Sequence, residues 1–166
     1  MLLPTSKNST LPLKLNITLI IEIEEGEEDQ NHKKATTLIS QKRENELLQK
    51  LEKFENSTEY LSRNFTISNL ASILDTNTKY IHAILKSHKS KNFSSYINKL
   101  KINYIITKLY EYPEYLNYKI SYLANIGGFS SHSHFTQVFK KEATISPSEF
   151  IKQLKKISTS PYNTVK

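Results

Sequence analysis

Ser133, His134 and Gln137 lie within five residues of one another, interleaved with Phe135, Val138 and Phe139. The three apolar residues recur at helical spacing, so the segment reads as an amphipathic helix with the polar residues on its free faces. The chemistry open to such a face is recognition. A Gln amide can make a bidentate pair with adenine, and Lys140 and Lys141 farther along suit phosphate. Metal and catalytic alternatives fare poorly. His132 and His134 stand two apart, so they do not share a helix face as a zinc pair at i, i+4 would. Cys is absent, which removes disulfides, thiolate metal sites and Cys nucleophiles. There is no glycine-rich phosphate loop and no G-x-S-x-G elbow. The expectation is a non-enzymatic protein with no catalytic residue, no cofactor and no metal.

The elements that must position these residues are legible on either side. Ile120, Leu123, Ala124 and Ile126 give a preceding short helix its apolar stripe. Gly127 and Gly128 supply a permissive backbone for a tight turn. Ser130 or Ser131 then caps the next helix by accepting a bond from an orphan N–H. A short helix, a glycine turn and a second helix with a hydrogen-bonding free face form a helix-turn-helix pattern. An ordinary helical hairpin would show the same stripe.

Composition supports a polyanionic partner. The net charge is +7 and the pI about 9.4. The charge is uneven: residues 1–40 carry four Lys and six acidic residues, leaving all of the positive excess to residues 41–166. A hydrophobic fraction of 37% and a mean hydropathy of −0.51 suit a soluble chain, and three Gly with five Pro leave little for an all-β fold. The longest apolar run, Leu15 to Ile23, is too short to span a bilayer. With no signal-peptide cleavage pattern, the expected location is the cytoplasm, with no membrane partner.

Along the chain, residues 1–40 read as a disordered or remnant acidic tail, with Leu15–Ile23 a short strand at most. Residues 41–58 form a preceding helix and connector, with Leu47, Leu48, Leu51 and Phe54 on one face. Thr66 caps a helix carrying Ile67, Leu70, Ala71, Ile73 and Leu74. After the turn Asp75–Asn77 comes a helix burying Ile81, Ile84 and Leu85. A long helix from about Ser94 to Tyr110 presents Tyr96, Ile97, Leu100, Tyr104 and Leu109, and Pro113 ends it. Ser146-Pro147 opens a last helix with Phe150, Ile151 and Leu154, and residues 158–166 form a C-terminal tail.

These segments repeat. Ile67-Ser68-Asn69-Leu70-Ala71 matches Ile120-Ser121-Tyr122-Leu123-Ala124 at a separation of 53. Ile81, Ile84 and Leu85 match Phe135, Val138 and Phe139 at 54, as Phe93–Ile97 matches Pro147–Ile151. The extra residue falls in the turn, where the second copy has an added glycine. Two helix-turn-helix units joined by one helix could reach two successive major grooves, about 34 Å apart, without dimerising. Pairing the copies sets Lys79 against Ser133, Tyr80 against His134, His82 against Thr136, Ala83 against Gln137 and Lys86 against Lys140. Lys79 can reach guanine and Ala83 a thymine methyl. Lys86, Lys140, Lys141 and groups at the helix N-termini suit phosphate. Tyr80 and His134 could equally be packing residues, His82 merely solvated and the lysines surface charge.

The chain resembles the C-terminal DNA-binding domain of AraC/XylS-type transcriptional regulators. The resemblance rests on Ile120-x-x-Leu123-Ala124-x-x-x-Gly128-Phe129-Ser130-x-x-Ser133-x-Phe135-x-x-x-Phe139-Lys140 and on Ser146-Pro147-Ser148-Glu149-Phe150. It implies an all-α domain over residues 59–157: two helix-turn-helix subdomains, a long linker helix and about seven helices in all. It implies a sequence-specific transcription factor whose partners are double-stranded promoter DNA and RNA polymerase, able to act as a monomer. By the same resemblance the base-reading positions are Lys79, His82, Ala83, Ser133, His134 and Gln137. The phosphate positions are Thr78, Lys86, Ser131, His132, Lys140 and Lys141. Three departures stand out. Thr144 and Ser90 replace glycines at turns that favour positive φ, and Lys119 stands where an N-cap belongs. Residues 1–40 are too short for the sensing domain such regulators often carry, so a truncated or stand-alone regulator is expected. The competing reading is a helical protein-interaction module derived from such a regulator that no longer reads DNA.

Overall fold

The computed structural model describes residues 40–158, and the tails expected at 1–39 and 159–166 lie outside them. Among the described residues there are seven α-helices, two short 3-10 turns and no strand. The helices are α1 (Gln41–Glu55), α2 (Ile67–Ile73), α3 (Thr78–Lys89), α4 (Phe93–Glu111), α5 (Ile120–Ile126), α6 (His132–Ala143) and α7 (Pro147–Ser158).

Most helices start where a short polar side chain can satisfy an orphan N–H. Thr66 and Asn69 form a reciprocal capping box on α2. Asn77 accepts from Tyr80 N at 3.1 Å, Asn92 from Ser95 N at 2.9 Å and Ser131 from His134 N at 3.0 Å. Lys119 gives α5 no side-chain cap. Ring contact steadies that start instead: Tyr118 and Tyr122 meet across the first turn with centroids 4.8 Å apart, the end of a row running from Tyr112 through Tyr115.

Two cores form. The first joins α1, α2, α3 and the start of α4 through Leu47, Leu51, Phe54, Leu70, Leu74 and Ile81, among others. The second joins the rest of α4 to α5, α6 and α7 through Ile102, Ile105, Leu123, Phe135, Phe139 and Ile151, among others. Ile97, Lys101, Ile105 and Leu109 of α4 are all buried at intervals of four, so a single helix side feeds both cores in turn. Ile73 departs from expectation. It is 38% exposed, because Leu70, Ala71 and Leu74 define the buried face of α2 and leave Ile73 on its flank.

The two helix-turn-helix turns share one backbone geometry. Thr76 N donates to Ala71 O, and Phe129 N to Ala124 O, each at 2.9 Å. These are the 6→1 bonds of a Schellman ending. Asp75 takes φ 51° and Gly128 φ 72° at the matching left-handed position. Gly127 corresponds to Leu74 and is an ordinary helix-end residue with φ −74°. The caps that follow, Asn77 and Ser131, stand 54 apart rather than 53. The inserted residue therefore lies between Phe129 and Ser131, after both glycines, which corrects the expectation of an added glycine. Ser90 and Thr144 adopt φ 49° and 64° where the glycines were missing. Both helices before them still run 12 residues.

α1 belongs to the first core and also braces the first turn from outside. Arg43 Nη2 donates to Asp75 O at 2.8 Å, and Lys50 Nζ to Leu74 O at 3.0 Å. Glu44 meets His88 at 2.6 Å, and Glu55 meets Lys89 at 2.8 Å near the end of α3. Glu55 also accepts from the Tyr96 hydroxyl at 3.0 Å. Burial, then the Glu55 charge, pushes the Tyr96 pKa far up, and burial raises those of Tyr60 and Tyr110. Groups with raised folded-state pKa values contribute stability that is present below the ordinary tyrosine value, about 10, and lost as pH climbs past it. Tyr115 is raised as well, by burial first; Lys101, whose pKa burial lowers, works in the opposite sense but is one group against four. Thermal midpoints should fall progressively above about pH 10, and the fall should be shallower in Tyr96→Phe, as calorimetry across that range would reveal.

Candidate nucleic-acid interface

α3 and α6 each seal one face in a core and expose the other. On α3, Ile81, Ile84 and Leu85 are buried, while Thr78, Lys79, His82 and Lys86 are exposed and Ala83 is half-buried. On α6, Phe135, Val138 and Phe139 are buried. His132, Ser133, His134, Gln137, Lys140 and Lys141 are exposed, as is the cap residue Ser131. The twelve residues singled out from the sequence thus fall into two groups, one on each second helix.

Local bonds separate fixed side chains from free ones. Ser131 Oγ is occupied as an acceptor by His134 N–H, which leaves its O–H available to a phosphate oxygen. The His134 ring stands edge-on to Phe129 with centroids 5.6 Å apart, so it is exposed yet braced. Its partner in the first unit, Tyr80, packs against the core. Thr136 donates to His132 O at 2.9 Å, which commits its hydroxyl proton to the helix's own backbone. His82 borders an open hollow formed with Ile67, Asn92 and Phe93. Lys79, Lys86, Gln137, Lys140 and Lys141 are exposed long side chains on these two helices. Long flexible donors over a sealed apolar face are what a groove-reading helix requires.

Lys101 is the polar residue that sequence reasoning missed. It is 6% exposed and donates to Ser62 O at 3.1 Å and to Gly128 O at 2.7 Å. The available signal was its place at i+4 from Ile97 and i−4 from Ile105, inside a buried stripe. Arg63 and Asn125 hydrogen-bond nearby, again linking the first unit to the second. Among the described residues no group of three or more His, Cys, Asp or Glu could hold a metal ion. No helix among them is long and apolar enough to cross a membrane.

A family profile described as a helix-turn-helix domain matches residues 70–153. Solved structures share the fold. One is the C-terminal domain of AraT, a response regulator from Geobacillus stearothermophilus: 16% identity, 65% of this chain, 84% of that one and a TM-score of 0.52. Another is a protein of unknown function from Listeria innocua: 17% identity, 64% and 95% coverage and a TM-score of 0.53. No curated protein matches the chain.

Proposed function

The chain belongs to the AraC-type helix-turn-helix family, a fold of DNA-binding transcription regulators, and on that premise we propose that it reads two successive major grooves of promoter DNA sequence-specifically. The observation that carries this reading is the duplicated exposed face: α3 and α6 each free a row of donors over a face anchored in its own core. α4 has 19 residues, about 28 Å at 1.5 Å per residue. That span, with the width of the flanking units, is compatible with one helical turn of DNA, about 34 Å. A single chain then suffices for both half-sites.

In this reading Gln137 pairs with adenine, Lys79 reaches guanine and Ala83 meets a thymine methyl. His82, Ser133 and His134 take the neighbouring base edges. Thr78, Lys86, Ser131, His132, Lys140 and Lys141 hold phosphates and set the register. Action at a promoter brings RNA polymerase within reach as a protein partner.

Selection of binding sites from random duplex DNA is the direct test, and paired half-sites about one helical turn apart are the expected yield. Lys79→Ala or Gln137→Ala should each weaken binding to the selected duplex by roughly 10- to 100-fold, with little change on random duplex. Lys140→Ala should weaken both alike and reduce the salt slope by about one. Equal affinity for selected and random duplexes at moderate salt would exclude sequence-specific reading and favour a protein-interaction module.

A further inference from the structure

The two units meet at a polar contact that neither core requires. Ser62 follows the 3-10 turn Glu59–Leu61 of the first unit, and Gly128 lies in the turn of the second. Lys101, midway along α4, donates to a backbone carbonyl in each. Its ammonium stands 5.6 Å from the centroid of the Phe129 ring. Among the described residues no carboxylate lies within ion-pair distance of it. A buried cation without a counter-charge is expensive to desolvate, and burial accordingly lowers its pKa. An apolar residue of similar length would fill the space more favourably. It would leave both carbonyls unpaired and the two units held by packing and the Arg63–Asn125 bond alone.

Two neighbouring contacts show how close the approach is. A Cβ on Gly128 would lie 1.8 Å from Leu61 O. Arg63 reaches across to Asn125 beside it. The seam therefore runs from Leu61–Arg63 to Asn125–Gly128, with Lys101 at its centre.

We propose that Lys101 is a positioning residue for DNA recognition: by bonding one carbonyl in each unit it fixes the second reading helix relative to the first, and so sets the half-site spacing the protein accepts. This rests on the two-groove reading above. The seam acts on geometry alone, since Lys101 is buried and directs its ammonium to two backbone carbonyls. Loosening it leaves each half-site's own contacts intact and relaxes the demand for one separation between them.

The test uses the full chain, the selected two-half-site duplex, variants of that duplex with the spacer lengthened or shortened by two base pairs, and single half-site duplexes. Wild type should lose about 100-fold in affinity when the spacing changes, the equivalent of losing one or two matched base pairs. Lys101→Met should bind single half-sites as wild type does, yet lose under about 10-fold on the altered spacers. If Lys101→Met does not fold, Lys101→Gln carries the same comparison, because its amide nitrogen stands one atom nearer the backbone than Nζ and breaks the bridge between the two carbonyls while keeping the site polar. A spacing penalty in the variant equal to that of wild type would overturn the proposal. So would equal losses on every duplex, half-sites included, which mark a purely structural lysine. Absence of any spacing penalty in wild type itself would instead refute the two-groove reading.

Discussion

Replacing Gly128 by alanine is expected to destabilise the domain by about 2–5 kcal/mol, a large share of the 5–15 kcal/mol a domain usually has. Two effects combine. The residue sits at φ 72°, where a side chain costs roughly 1–2 kcal/mol. The added Cβ would also lie 1.8 Å from Leu61 O and 2.6 Å from Leu61 C. Those are backbone atoms, so no rotamer change relieves the overlap, and forced backbone shifts of this kind cost about 1–3 kcal/mol more. The loop at Leu61 must withdraw, which takes with it the Lys101 bond to Ser62 O. Asp75→Gly is the matching control. Asp75 holds φ 51° at the equivalent place in the first turn, and this substitution should leave stability within about 1 kcal/mol of wild type. Urea denaturation followed by helical circular dichroism would separate the two. An unchanged midpoint for Gly128→Ala would mean that the units do not meet as described.

Phe135→Ala should cost about 3–5 kcal/mol by the cavity it leaves. Phe135 is 0% exposed and sits between Phe129 and Phe139, with ring centroids 5.3 and 5.6 Å away in edge-to-face contact. The series continues from Phe139 to Phe150 and on to Tyr110, tying α6 to α7 and α4. Removing the middle ring leaves a hole that large, stiff neighbours fill poorly. Gln137, two residues along, is exposed on the opposite side. Gln137→Ala should hold stability within about 0.5 kcal/mol while losing affinity for the selected DNA. Thermal melting and DNA titration on the same two proteins should therefore give opposite outcomes. Similar stability losses in both would show that α6 does not divide into a buried and a reading face.

Local rules carried most of the fold. The caps at Thr66 and Ser131 are short-range hydrogen bonds, and the stripes of α3 and α6 obey the helical period, so each could be read from a few neighbouring residues. The left-handed turns at Ser90 and Thr144 were legible for the same reason, as positions where glycine was due. Lys101 was hidden because its acceptors, Ser62 and Gly128, lie 39 and 27 residues away. A lysine in a long helix otherwise reads as surface charge. The bracing by α1 was hidden likewise: Arg43 and Lys50 bond to carbonyls, which every residue has and no side-chain pattern betrays. The exposure of eleven of the twelve candidate contact residues was legible, because it follows from the stripe on the other side; Ala83 is half-buried.

The matched turns bear on how the two halves of the chain could drift apart after copying. At position 75 the left-handed residue is exposed, and an aspartate has settled there. At position 128 the same backbone presses against a neighbour's carbonyl, which closes the site to every side chain. The two turns are therefore constrained unequally: position 128 admits only glycine, whereas position 75 carries a side chain on the same left-handed backbone.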